Sequence, residues 1–406
     1  MSTTPALRVS VEEAMQLILE HMHDWGTRQV SLADAAGQIL RETLHTEREQ
    51  PPFDRVTMDG VAFRHAAFTG GRRQFTVVGT QGAGDAPVPL TADDGCVAIM
   101  TGAALPAGTD TVVPVERMVR DGATATIAAD YTPQPGQFIH RRGSDHGQGV
   151  AVLEPGTRIG PPEMAVLTTT GRTEVAIARR PRIAVISTGN ELVDVGLPMT
   201  ATQIRNSNDR AIAAALLTRG FADVSRHHLP DDLAALETGL SALLASNDVL
   251  ILSGGVSMGE FDFVPKVLAG LGMQLVFHKV RQKPGLPMWF GVSPGGKPVF
   301  ALPGNPVSSL VCFVRYVAPA LQAALGAAGS APEHVRLGSS LEFAPPLTWF
   351  VPAQLEYTDD GLCRALVRQT NTSGDLVSLA GTDGFVELPA ERDNFPEGFP
   401  APFFRW

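Results

Sequence analysis

Three glycine-bearing stretches each follow an apolar run that reads as a buried strand: Ser187-Thr188-Gly189-Asn190-Glu191, Ser253-Gly254-Gly255-Val256-Ser257-Met258-Gly259 and Leu302-Pro303-Gly304-Asn305-Pro306. Glycine lets backbone N–H groups approach a phosphate closely, and a helix start beyond such a turn favours negative charge. Tight strand-to-helix turns need glycine too, so each loop alone reads either way. Two at one sheet edge favour an anionic ligand. In the third, Asn305 can cap a helix and Pro306 suits its first position, while prolines on both sides of Gly304-Asn305 hold the loop rigid against a ligand.

Charged residues of both signs accompany these loops. Lys279, Arg281 and Lys283 alternate along His278-Lys279-Val280-Arg281-Gln282-Lys283-Pro284-Gly285. On an extended segment they face one side, either as an anion clamp or as a solvated strand edge. Arg141-Arg142-Gly143-Ser144-Asp145 is a second basic loop beside a carboxylate. Asp59, Asp145, Glu191, Asp231 and Asp262 stand in loops. Asp231 and Asp262 read equally as helix caps, whereas Glu191 beside a glycine turn has no such role. Carboxylates near phosphate-binding backbone suit Mg²⁺, a hard cation that takes oxygen ligands. His21, His23, His227 and His228 lack metal-ligand context and read as surface or internally bonded histidines.

Gly255-x-Ser257-x-Gly259 also matches the nucleophile elbow of α/β-hydrolases, with Ser257 as nucleophile. Ser253-Gly254 lengthens a turn that should be abrupt. Of the histidines that follow, His278 lies in an apparent strand, leaving His334, and no HGGG-type oxyanion loop occurs.

These loops need a sheet to hold them. From 181 to 328 apolar strands at 182–187, 222–228, 248–252, 273–280 and 298–302 alternate with helices at 211–219, 231–245 and from 306, which predicts a mostly parallel α/β sheet. Leu233, Leu236, Leu240 and Leu243 form one stripe. Ser10 and Glu13 predict a capping box, with Val11, Met15, Ile18 and Met22 at helical spacing, and a second helix is expected near Ser31. Residues 46–140 read as a β-rich lobe, including a hairpin of 112–120 with 123–128 turned by Asp121-Gly122. Residues 1–45 and 141–180, with a helix near 162–170, form an N-terminal helical and linker domain, and 329–406 a C-terminal β domain.

At 406 residues the chain exceeds one ordinary core, and 44% hydrophobic with 18% charged residues excludes disorder as its main state. A net charge of −10 disfavours nucleic acid and anionic membrane as partners. Cys96, Cys312 and Cys363 share no CxxC spacing, which argues against thiolate metal sites and a disulfide framework. No leader pattern is read at the N-terminus, and no apolar run approaches the roughly 20 residues of a bilayer span. The expectation is a cytoplasmic protein.

In order, the motifs resemble the MoeA and gephyrin E-domain family. The matching strings are Pro51-Pro52-Phe53-Asp54, Met58-Asp59-Gly60, Ile99-Met100-Thr101-Gly102-Ala103, Arg142-Gly143-Ser144-Asp145 and Ser187 to Leu192. Ile204-Arg205-Asn206-Ser207-Asn208, Ser253 to Ser257 with Gly259-Glu260 and Asp262, Lys283-Pro284-Gly285 and Leu302 to Ser308 continue the series. The resemblance implies a four-part subunit, a homodimer with an active cleft facing the partner's β-rich segment, and a Mg²⁺-dependent molybdopterin molybdenumtransferase. That reaction takes adenylylated molybdopterin and molybdate, inserts the metal at the dithiolene, splits the pyrophosphate bond and releases AMP. Asp59, Glu191 and Asp262 would position Mg²⁺ and water, with Lys279 and Lys283 on the anionic groups. By correspondence Thr101, Arg142, Asp145, Ser187, Gly189, Asp231, Gly254, Gly255 and Ser257 would line the cleft. Pro303, Gly304, Asn305 and Pro306 would form the anion loop, with Ser373 reaching it from the C-terminal domain. A separate adenylyltransferase would dock as partner.

The sequence departs from the family pattern. His140 stands where an arginine is expected, Leu286 replaces a second lysine, Pro352 an arginine and Val61 an aromatic. Fewer cations predict weaker oxyanion affinity, falling further above neutral pH if His140 supplies charge, or a paralogue that binds molybdopterin without turnover.

Overall fold

The computed structural model describes residues 8–256, 263–329 and 331–406. The chain divides into two units, one of Met1–Arg41, Pro155–Gly160 and Glu174–Trp406, the other of Glu42–Glu154 and Pro161–Thr173. Ser257 and Asp262, both expected at the site from sequence, lie outside the described residues.

The first unit is built on a six-stranded sheet in the order Val224–Leu229, Ile183–Thr188, Val249–Ser253, Pro298–Leu302, Trp289–Val292, Gln274–His278. Its first four strands run parallel and the last two pair antiparallel. Every residue of Ile183–Thr188, Val249–Ser253 and Pro298–Leu302 is buried, as both faces are covered. Leu236, Leu240 and Leu243 close one face from the helix Leu233–Ser246, each burial contributing roughly 2 kcal/mol. Leu233, expected on that stripe, is 37% exposed. The helix Val11–His21 and the helical run 306–324 cover the other face. Glu13 N donates to Ser10 Oγ at 3.1 Å and Ser10 N to Glu13 Oε2 at 2.7 Å, so the expected capping box forms.

Several expectations are corrected. Near Ser31 only a three-residue turn, Leu32–Asp34, follows the strand Thr27–Ser31. Asp232 rather than Asp231 caps the helix at 233, accepting from Ala235 N at 2.9 Å. The strand Trp289–Val292 has no counterpart among the expected elements. Pro306–Ala324 gives 19 residues apolar enough to span a bilayer by length and composition, against the expectation of no such run. That segment is 67% buried, as befits a core helix.

In the same unit, Thr348–Tyr357, Cys363–Val367, Glu333–Leu337, Pro400–Arg405 and Gly384–Leu388 pair in succession, and the last returns to the first. The ring is closed, so its strands have no free edge apart from the short Gln282–Lys283, which joins Thr348–Trp349 in parallel. The second unit carries another six-stranded sheet, in the order Thr111–Pro114, Gly60–Phe63, Gly95–Ile99, Gln74–Gln81, Thr124–Ile127, Met118–Asp121. Its hairpin turns at Gly122 as expected, but 111–114 is a separate strand paired with 60–63. The expected helix near 162–170 is Pro161–Thr169.

Asp248 ties the central sheet to the preceding chain. It accepts from Arg182 N at 2.9 Å, Arg182 Nη2 at 3.4 Å and Arg179 Nη1 at 3.2 Å. Burial opposes its charge, but the Arg182 backbone donor and the two guanidinium groups together hold its pKa below the usual carboxylate value. A lowered folded-state pKa stabilises above the unfolded value of about 4, and that contribution is lost as pH falls through the folded value. Asp248→Asn is therefore expected to cost about 1 kcal/mol at pH 7, with the difference from wild type shrinking below about pH 4. Thermal melts from pH 3 to 7 test this, and a pH-independent difference would contradict it.

Candidate functional site

Parallel strands deliver their carboxyl ends to one rim of the central sheet, and side chains there bind the loops to one another. Ser187, 1% exposed, donates to Asn206 Oδ1 at 2.9 Å. Asn208 Nδ2 donates to Ser253 Oγ at 2.8 Å and to Gly304 O at 2.7 Å, joining the loops after two different strands. Gly254 N donates to Leu302 O at 3.1 Å. Gly254 has φ +104°, and an added Cβ would stand 2.7 Å from Thr188 O, so only glycine lets these loops meet. His228 lies 2.8 Å from Gly189 O, and Asp231 N donates to Asn190 Oδ1 at 3.1 Å. Ser187, Gly189, Asp231, Gly254, Gly255, Pro303 and Gly304 thus occupy connected loops. The bridging role of Asn208 escapes sequence reasoning. Its signals there are its place in the string Ile204 to Asn208 and an amide at the start of the helix Asn208–Thr218.

The rim offers oxygen donors. Glu191 is exposed, its carboxylate folded against Gly189, with no hydrogen-bond partner among the described residues. Thr188 Oγ1 is buried without a partner among the described residues and faces the Gly254-Gly255 turn. Both suit a hard cation or its bound water. Among the described residues no three His, Cys, Asp or Glu side chains converge as a metal cluster. Cys96, Cys312 and Cys363 are free thiols.

Beside the rim a cavity of about 370 Å³ is lined by Lys283, Pro303, Asn305 and Ser373, together with Leu286 and Pro352. Asn305 is the N-cap residue as expected, but its side chain makes no capping bond; its Nδ2 donates to Ser373 Oγ at 2.8 Å, and Val307 N donates to Ser373 O at 3.1 Å. Pro306 takes the first turn as expected. Lys283 is the cavity's one charged lining residue among the described residues, its Nζ 5.3 Å from the Phe343 ring centroid. Lys279 and Arg281 do not join it there. Lys279 has φ +83°, which breaks the two-residue alternation, and Arg281 lines a different cavity with Glu12 and Glu391. The expected single-faced clamp is not formed.

The second unit holds Asp59, Thr101, Arg142 and Asp145. Arg142 is paired with Glu49, and its N–H donates to Asp54 Oδ1 at 2.9 Å. His140 bridges two partners: Arg55 Nη2 donates to Nδ1 at 3.1 Å, and Nε2 lies 2.8 Å from Asp145 Oδ1. Arginine can only donate, so Nδ1 accepts and Nε2–H serves Asp145. His140 is thus a link between an arginine and a carboxylate. Asp59 and Val61 line a cavity of about 410 Å³ with Met100, Val115, Met118 and Arg120.

Thr101 N and Oγ1 both donate to Asp59 Oδ1, at 2.7 and 2.8 Å. The backbone donor first and the hydroxyl second hold the Asp59 pKa below the usual carboxylate value. Thr101→Val, which removes only the hydroxyl bond, is expected to raise that pKa toward the ordinary value without reaching it. Carboxyl ¹³C NMR titration reads the shift, and an unchanged midpoint would refute the assignment.

Comparison with known proteins agrees with this layout. Family models match residues 9–171 as the MoeA N-terminal region (domain I and II), 184–323 as a probable molybdopterin binding domain, and 334–403 as the MoeA C-terminal region (domain IV). A molybdopterin molybdenumtransferase of Synechocystis is 36% identical over 399 residues, covering 98% of this chain and 100% of that protein. One from Staphylococcus aureus is 31% identical, covering 96% and 94%. Two crystal structures of MoeA from Pyrococcus horikoshii superpose with TM-scores of 0.80 and 0.81 at 30% and 25% identity, covering 98% of this chain and 98% and 100% of theirs. Matches along the whole length leave the hydrolase reading of Ser257 without support. By sequence and by fold, the chain belongs to the MoeA family of molybdopterin molybdenumtransferases.

Proposed function

We propose that this chain is a Mg²⁺-dependent transferase that inserts molybdate into adenylylated molybdopterin and releases AMP. The observation that carries the reading is the knitting of three strand-end loops into one rim beside a cavity whose single charged lining residue, among the described residues, is Lys283. The loop N–H groups and the sheet-end serines would hold the pyrophosphate, and Lys283 would hold the oxyanion. Glu191, with Asp262, would hold Mg²⁺; the Glu191 carboxylate and Thr188 Oγ1 are the local features that fit it. When bound, Mg²⁺ neutralises charge on the anhydride. Water adds to one phosphorus, AMP leaves, and the dithiolene sulfurs replace molybdate oxygens, which depart as water or hydroxide. Holding these groups together is positioning and electrostatics.

The proposal includes a cytoplasmic homodimer, a separate adenylyltransferase as supplier, and four parts: 1–45 with 141–180, 46–140, 181–328 and 329–406. A second reading is a carrier that binds molybdopterin without turnover, and the observation favouring it is the apolar character of Leu286 and Pro352 beside Lys283.

AMP release on mixing with adenylylated molybdopterin, Mg²⁺ and molybdate or tungstate separates the two, since a carrier releases none. Lys283→Ala is expected to raise the KM for molybdate about tenfold or more, the scale of a lost charge-assisted hydrogen bond. Leu286→Lys should lower it. Equal KM values in all three proteins would rule out this cavity as the oxyanion site.

A further inference from the structure

A buried polar chain lies behind Lys283. Tyr316 is fully buried, and its hydroxyl donates to Gln282 Oε1. Gln282, 1% exposed, donates through Nε2 to Pro284 O at 3.1 Å and to Cys312 Sγ at 3.3 Å. Cys312 Sγ in turn donates to Gly285 O at 3.7 Å. Directions are fixed, because a peptide carbonyl only accepts: Nε2 must face Pro284, so Oε1 must face Tyr316. Burial keeps the whole chain neutral, pushing the Cys312 thiol up to about 12 and the Tyr316 phenol well above its usual value.

Such a chain of buried, satisfied groups is costly to break and geometrically strict. It grips residues 282, 284 and 285, on both sides of Lys283. An added Cβ on Gly285, at φ +95°, would stand 2.5 Å from Gln282 Nε2 and 2.6 Å from Cys312 Sγ, so the loop is seated without slack. Tyr316 lies on a π-helical turn, Phe313–Val317, between the helices Pro306–Cys312 and Ala318–Ala324. A π turn adds a residue and re-aims side chains relative to an α-helix, and here Tyr316 points at Gln282 while Arg315 pairs with Glu387 at 2.6 Å. The same helical run is capped by Asn305, which also lines the cavity.

We infer that Tyr316, acting through Gln282 and Cys312, is a positioning residue that sets where the Lys283 ammonium stands in the cavity. The kinetic consequence rests on the proposed oxyanion role of that cavity. With the full-length chain and AMP release as readout, Tyr316→Phe is expected to raise the molybdate KM about tenfold with kcat within about twofold. Leu321→Ala, a core change in the adjoining helix, should lower the melting temperature comparably and leave KM unchanged. Equal KM changes in both variants, or none in either, would overturn the inference.

A second readout does not need turnover. Lys283 stands near the Phe343 ring, so after reductive ¹³C-methylation its methyl signal, assigned by its loss in Lys283→Arg, carries a ring-current shift. That signal should move in folded Tyr316→Phe and stay in Leu321→Ala; a stationary signal in Tyr316→Phe overturns the positioning role. Should Tyr316→Phe not fold, Cys312→Ala, which removes the thiol's bonds to Gln282 and Gly285, must move the same signal or the inference fails. Absence of AMP from wild type, with the signal moving as expected, would refute the transferase reading and leave the positioning intact.

Discussion

The structure depends on how strands buried on both faces end. Ile183–Thr188, Val249–Ser253 and Pro298–Leu302 expose no edge and no face, so their polar termini must be satisfied at the rim where all three finish. Asn208 meets that demand for two loops at once, and Ser187 with Asn206 meets it for the other. What is left over is chemically informative. Among the described residues the exposed Glu191 carboxylate has no hydrogen-bond partner there, and Thr188 Oγ1 is one of few buried side-chain polar atoms left unsatisfied.

The parallel sheet was legible because apolar runs bounded by glycine turns have few other readings. So was the capping box at Ser10 and Glu13, whose two bonds need only residues three apart. Long-range partners were not legible. Asn305 had every local mark of a cap, yet Ser373, 68 residues away, takes its amide. The alternation of Lys279, Arg281 and Lys283 assumed uniform extension, which a positive φ at Lys279 removes. Trp289–Val292 escaped notice because a short strand containing Gly291 and buried on both faces shows no alternation.

Electrostatics sharpen the contrast between site and surface. Arg141 and Arg142 are committed to Asp54 and Glu49, and Arg179 and Arg182 to Asp248. Such pairs fix loops and leave little charge for a ligand. Lys283 has no carboxylate partner of this kind among the described residues; its ammonium rests near an aromatic ring, an interaction that holds a cation without neutralising it.

This division explains why one lysine can matter in a chain of net charge −10. The field of the whole protein repels an oxyanion, so capture depends on a local cation. Leu286 and Pro352 add apolar surface to the cavity and no charge. A single cation in such a setting must be well placed, since no second one averages out its errors. Tyr316, Gln282 and Cys312, all neutral, meet that requirement by fixing the backbone on both sides of Lys283 without adding a counter-charge.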